Sequence, residues 1–209
     1  MAAPSVRDRL LRIATQLFAA EGFEATTMRA VASRAGVTLP TLYHYFGDKQ
    51  NLYVEACLAT FGPRAERAMR VYAASDAPVE HKVMGFFVDL AAVLLEDENY
   101  FKLMHREIID QDREGIRRLA QSCWKQPFTA LCQAFRTLLP DGRAPEPVVF
   151  ASLALVFGLV EFRRIAPFIH DGLPPHYTPQ RLAQLALQTA LPGVQWAEVA
   201  AHLPASTSR

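Results

Sequence analysis

The sequence holds only three cysteines, Cys57, Cys123 and Cys132, and no Cys-x-x-Cys pair. That odd, scattered set excludes a disulfide framework and a thiolate metal site, and suits free thiols in a reducing cytosol. Excess charge is lacking too. Twenty-two Lys and Arg stand against 21 Asp and Glu, a net charge of +1. Attraction to nucleic acid or to an anionic membrane therefore cannot come from the surface as a whole, and any basic site is local. No apolar run reaches the ~20 residues of a membrane span. The most apolar stretch, VVFASLALVFGLVEF at 148–162, carries Glu161 and runs into Arg163, Arg164 and Pro167. It predicts a helix buried on all sides by protein, and no membrane partner is expected. Arg7, Asp8, Arg9 and Arg12 interrupt the first turns, so no export signal is expected and the expected compartment is the cytoplasm.

Neither GxSxG, HExxH, a Walker loop nor a dinucleotide fingerprint occurs. His105 and Glu107 are an acid/base pair by residue type, but positions two apart on a helix diverge by ~200° and do not face one substrate. His170, Asp171 and His176 are metal-ligand types gathered in HDGLPPH, a pattern more typical of a merely polar loop. No enzyme, metal or cofactor is expected.

Strand alternation and internal repeats are absent, and what recurs is the helical period. The 209 residues suit one or two domains. Leu10, Ile13, Ala14, Leu17 and Phe18 stripe a first helix that Gly22 ends. Thr26 or Thr27 caps a second, with Met28, Val31, Ala32 and Ala35 inward. Gly36 suits the left-handed turn that closes it. Thr38 caps a third helix through Phe46, with Pro40 in its first turn, where a missing N–H costs little. Asp48 caps a long fourth helix to about Ala74, with a kink at Gly62–Pro63. Further helices are predicted at about 79–96, 100–110, 115–139 with a kink at Pro127, 147–166, and 179–190 under a Thr178 cap. The chain is predicted to be all-α.

The third helix poses a question of its own. TLYHYF, residues 41–46, sets three rings and an imidazole side by side. Leu42 and Phe46, four apart, share the inward face. Tyr43 and Tyr45 then fall on opposite flanks, and His44 points out with Pro40 and Thr41. That outward surface is uncharged and aromatic-tipped, unlike an ordinary solvated face, so it reads as a docking surface.

Residues 27–46 have the length and punctuation of a helix-turn-helix. With LFAAEGFEATTM before them and GDKQNLY after, the run 7–56 resembles the DNA-binding domain of the TetR/AcrR family of bacterial transcriptional regulators. Gly22, Phe23, Thr27, Gly36, Leu42, Tyr43, Phe46 and Lys49 carry the resemblance. It implies a three-helix helix-turn-helix DNA-binding domain at 5–52, followed by a larger helical effector-binding and dimerisation domain at 53–203. It also implies that the third helix enters the major groove. Thr38, Leu39, Pro40, Thr41, Tyr43 and His44 would then meet DNA. Tyr45 would meet the backbone, and Thr27 and Arg29 would meet phosphate. Lys49 has a separate argument: a cation in a helix's first turn opposes the macrodipole unless an anion sits there. Leu39 and Pro40 depart from the family, which often has polar residues and glycine there. Leu39 cannot donate to a base, though it can touch a thymine methyl. Residues 1–60 carry six Lys or Arg against five acids, so few phosphate contacts and a modest salt dependence are expected.

The expected function is a repressor of transcription, released from its operator by a small apolar ligand. An activator of the same family, or an all-α enzyme or carrier keeping the helix-turn-helix as scaffold, are the alternatives. Expected partners are a near-palindromic double-stranded DNA operator, a second copy of the chain, and an apolar or aromatic effector of fatty-acyl or phenolic type. For the homodimer, Ala151, Leu155 and Gly158 offer one stripe and Leu182, Ala186 and Thr189 another. For the effector, the inward stripes of the middle helices offer Phe87, Leu90, Met104, Ile108, Trp124, Phe128 and Phe157, with His105 or Glu161 as orienting polar groups.

Overall fold

The computed structural model describes residues 5–74, 76–110, 113–169 and 177–203, without the side chains of 69–74, 107–110 and 113. Among these, helices and turns make up the whole fold. The chain divides into two compact units, one from residues up to 67 with 97–125, the other from 68–96 with residues from 126 on. The first unit extends past residue 52 and takes in 97–125, because the helix at 98–110 packs against the one at 6–25.

In the first unit, α1 spans Val6–Ala25 and starts with a capping box. Ser5 Oγ accepts from Asp8 N–H at 3.1 Å while Asp8 Oδ2 accepts from Ser5 N–H at 3.3 Å, so two orphan donors are satisfied reciprocally. Leu10, Leu11, Ala14, Leu17 and Phe18 are buried as the stripe requires. Gly22 does not end α1. It breaks it, at φ +87° and ψ 172°, and one further turn runs to Ala25. The Thr26 hydroxyl donates to Gly22 O at 2.8 Å. α2, Met28–Ala35, is capped by Thr27, whose Oγ1 accepts from Ala30 N–H at 3.1 Å. Gly36 closes α2 at φ +65°, and Val37 N–H then reaches back to Ala32 O at 3.0 Å, a left-handed cap that a Cβ would strain. α3 spans Leu39–Phe46. α4, Lys49–Ala74, is capped by Asp48 Oδ1 on Asn51 N–H at 2.7 Å and carries Pro63 inside it.

α6, Glu98–Asp110, and α7, Arg113–Leu119, complete this unit with a π-helical turn at Ala120–Trp124. This turn interrupts the helix expected at 115–139, just before Pro127. Pro127 has no N–H to give the Cys123 carbonyl four residues back. Lys125 N–H instead bonds Ala120 O, five residues back. Rings fill the core: Phe18 and Tyr53 at 4.8 Å, Phe61 and Tyr100 at 4.9 Å. Burial pushes the Tyr100 hydroxyl up to about 12, against the pull of Arg64, which lies 5.0 Å from its ring.

The second unit packs α5 (Val79–Glu96), α9 (Pro145–Phe162) and α11 (Pro179–Ala190) on one another, with α8 (Lys125–Leu138) joining through Phe135 against Phe87 at 6.3 Å. α11 begins at Pro179 under Thr178 as expected. A further helix, α12 (Trp196–Ala201), lies beyond the expected elements. Its Trp196 is 1% exposed, and its indole N–H donates to Leu191 O at 2.9 Å.

Three expectations fail in this unit. α9 is not buried on all sides: only a third of it is covered within the chain. Its buried stripe is Val148, Val149, Ser152, Val156 and Val160, whereas Phe150 is 69% and Phe162 62% exposed. The cause is geometric. α5 and α11 can cover one side of a helix, and an all-round apolar helix needs cover from elsewhere for the rest. The helix also ends at Phe162, four residues early, and turns through 163–165 into the one-turn α10, Ala166–Ile169. Pro167 cannot donate the N–H that would carry α9 onward. Leu182 and Ala186, expected on a dimer stripe, are fully buried inside the unit. The free face of α11 presents Arg181, Gln188 and Thr189 instead.

Candidate nucleic-acid interface

α3 is held from both ends and from below. Leu42 is fully buried and Phe46 is 3% exposed, seating the helix against α2. At its start Thr38 Oγ1 accepts from Thr41 N–H at 3.3 Å and shares a hydrogen bond with Thr41 Oγ1 at 2.8 Å. At its end the carboxamide of Asn51 donates to Phe46 O at 3.0 Å, satisfying a carbonyl that the helix leaves open. Asn51 Oδ1 in turn accepts from Arg118 of α7 at 3.3 and 3.4 Å. Glu55, one turn along α4, pairs with Arg7 at 2.7 Å and lies 3.8 Å from Arg118. The Arg7 guanidinium lies 5.8 Å from the Phe46 ring.

What this scaffold presents is the face inferred from spacing. Tyr43 is 46% and Tyr45 43% exposed, large for aromatic side chains. His44 is exposed with its ring edge-on to Tyr45 at 5.8 Å. Pro40 is exposed and Leu39 and Thr41 are partly so. Arg29 lies exposed on α2, next to the capping Thr27. The structure thus gathers Leu39, Pro40, Thr41, Tyr43 and His44 on one short helix, with Thr27 and Arg29 on its neighbour.

Lys49 has a partner that sequence reasoning missed. Its Nζ donates to Glu24 O at 3.1 Å and stands 4.4 Å from the Phe23 ring centroid. The cation at the start of α4 lies at the end of α1, where carbonyls carry the negative end of a dipole. An anion is not required to explain it. The positioning residues Asn51, Arg7, Glu55 and Arg118 were missed as well. Their links span 48 and 67 residues of chain, and no local pattern marks such pairs.

The nine effector candidates are divided. Met104, His105 and Trp124 belong to the first unit, and Phe87, Leu90, Phe128, Phe157 and Glu161 to the second. The side chain of Ile108 lies outside the described residues, as do the side chain of Glu107 and all of His170, Asp171 and His176. Phe87 is fully buried against Phe86 and Phe135, which is core packing. His105 stacks on Phe101 at 6.2 Å. Trp124 faces Phe61 at 6.1 Å, and its indole N–H is buried without a hydrogen-bond partner. Glu161 is exposed rather than inward, because it sits on the side of α9 that α5 and α11 leave bare. Two depressions stand out. One of about 340 Å³ lies in the first unit beside Arg12, Thr15, Thr60, Arg64 and Asn99. One of about 470 Å³ runs along α9 over Ala151, Ala154, Leu155, Gly158, Leu159 and Phe162. Neither contains any of the nine.

Residues 10–56 match the family described as bacterial regulatory proteins, tetR family. The chain is similar to the HTH-type transcriptional repressor KstR2 of Mycolicibacterium smegmatis, 33% identical over 84 residues, which is 40% of each protein. The chain therefore spans less than half the length of this curated relative. Two solved structures share the whole fold. The fatty acid degradation regulator FadR from Bacillus halodurans superposes with a TM-score of 0.73 over 93% of this chain and 99% of its own, at 15% identity. FadR from Bacillus subtilis, solved in complex with stearoyl-CoA, superposes at 0.69 over 90% and 98%, at 17% identity. At such identities the likeness establishes architecture alone. Residues 10–56, which span all of α2 and α3 and reach into the helices on either side, are therefore the part of the chain that matches the tetR family of bacterial regulatory proteins, and the helical body that follows has the architecture of the solved regulators.

Proposed function

We propose that the chain is a cytoplasmic, non-enzymatic repressor that binds a near-palindromic DNA operator as a homodimer and leaves it when a small apolar ligand binds. Residues 5–52 are the DNA-binding domain and 53–203 the ligand-binding and dimerisation domain. The observation that carries the reading is α3: a short helix braced at both ends whose outward face is aromatic and uncharged. Thr27, Arg29, Thr38, Thr41, Tyr43, His44, Tyr45 and Lys49 supply the remaining contacts, and Lys49 reaches phosphate only by leaving Glu24 O.

The bare side of α9 supports the homodimer. Ala151, Leu155 and Gly158 keep backbones accessible to close approach, and a second copy covers apolar surface that the chain itself leaves wet. Two-fold symmetry then presents two copies of α3 to successive major grooves. For the ligand, the stearoyl-CoA held by the Bacillus subtilis FadR favours the fatty-acyl class. Leu90, Phe128 and Phe157, all partly exposed in the second unit, are the residues assigned to its chain.

Selection of duplexes from a random pool by the full chain tests the DNA reading, and enrichment of an inverted repeat is expected. Long-chain acyl-CoA should release that duplex, and Phe128→Ala should respond only at higher acyl-CoA concentration while binding DNA as before. A pool from which nothing is enriched would sink the assignment.

A further inference from the structure

The composition of α3 restricts what it can read. In the major groove every base pair shows hydrogen-bonding atoms, and thymine alone adds an apolar group, its C5 methyl. The side chains that satisfy base edges with paired hydrogen bonds are guanidinium and carboxamide groups. Between Thr38 and Phe46 there are none. The hydroxyls of Thr38 and Thr41 bond each other at 2.8 Å, and Thr38 Oγ1 also accepts the Thr41 N–H. At most one hydroxyl proton of the two is left for DNA. The N-terminal residues of a recognition helix are those that meet base edges. Here they are Leu39, partly exposed, and Pro40, exposed and without an N–H.

We infer that this end of α3 reads thymine methyl groups. Leu39 and Pro40 form an apolar pair that packs on the C5 methyl of one or two thymines in each half-site. Any other base there would set polar edge atoms against hydrocarbon, with neither water nor a partner. The inference rests on α3 being the groove-inserted element. It adds the chemistry of the operator: thymine at the positions facing the start of the helix, with Tyr43 and His44 left to make the polar contacts.

The test uses the duplex that the full chain selects from a random pool. Each thymine is replaced in turn by deoxyuridine, which loses the methyl and keeps every hydrogen-bonding atom. Affinity should fall about fourfold for a methyl that faces the pair, and about sixteenfold when both symmetry copies are replaced. Leu39→Ala should bind the thymine and uracil duplexes alike at that position, while keeping the salt dependence of the parent protein. An all-uracil duplex bound within twofold of the thymine duplex overturns the inference, as does a Leu39→Ala protein that still discriminates. The uracil scan needs no variant, so it stands even if Leu39→Ala folds poorly. Selective binding without methyl dependence removes this inference alone, whereas a pool with no enriched duplex removes the DNA-binding assignment with it.

Discussion

Gly22→Ala should destabilise the protein through its backbone rather than through packing. Gly22 stands at φ +87° and ψ 172° inside α1, a region almost closed to residues with a Cβ, at a cost of about 1–3 kcal/mol. An added Cβ would also overlap Arg106 Nη1. That atom is the tip of a long side chain and can swing away at small cost, so the strain dominates. A loss of about 2 kcal/mol corresponds to a fall in melting temperature of about 4–8 °C for a chain of this size. The assay is thermal unfolding followed by circular dichroism at one fixed protein concentration, because oligomerisation makes the melting point concentration-dependent. Arg106→Ala in the same background separates the two causes. It relieves the overlap and leaves the dihedral angles, so the double variant should recover less than half of the loss. A Gly22→Ala protein melting within a degree of the parent, or a double variant restored in full, would refute the reasoning.

Lys49→Ala should weaken binding to all DNA sequences alike and lower the slope of log affinity against log salt by about one per subunit; an unchanged slope assigns Lys49 to bracing Glu24 O and nothing more. Gly158→Arg should yield a folded monomer, since a Cβ there meets nothing within 4 Å, and should cost about a hundredfold in operator affinity by losing the second contact point. Sedimentation showing an intact dimer would count against α9 as the interface. Tyr100 keeps its proton up to about 12 in the folded protein, against ~10 when unfolded. The folded state therefore binds more protons across that window, and stability present below pH 10 is lost as pH rises towards 12. Tyr100→Phe should flatten that fall, and a parent protein equally stable at pH 9 and pH 11.5 would contradict the burial of the hydroxyl.

Local chemistry settled a good deal on its own. Ser5, Thr27, Thr38, Asp48 and Thr178 cap helices because a short side-chain oxygen next to open N–H groups needs only its immediate neighbours. Gly36 and Pro179 act over the same range. The outward face of α3 follows from a period of 3.6 residues and the burial of Leu42 and Phe46, so it too was written in six consecutive letters. Tertiary structure decided whatever depends on residues far apart in the chain. Lys49 looked like a phosphate ligand until Glu24 O, 25 residues away, was seen to hold it. Leu182 and Ala186 have the apolar character of a dimer stripe, and only the packing of α5 and α9 shows that they face inward. α9 reads as a helix covered on every side, but periodicity cannot tell cover by the same chain from cover by another. The amphipathic pattern encodes which face is apolar, and the identity of what lies against that face is fixed by long-range packing, where loop lengths and side-chain volumes rather than any local signal decide the partner.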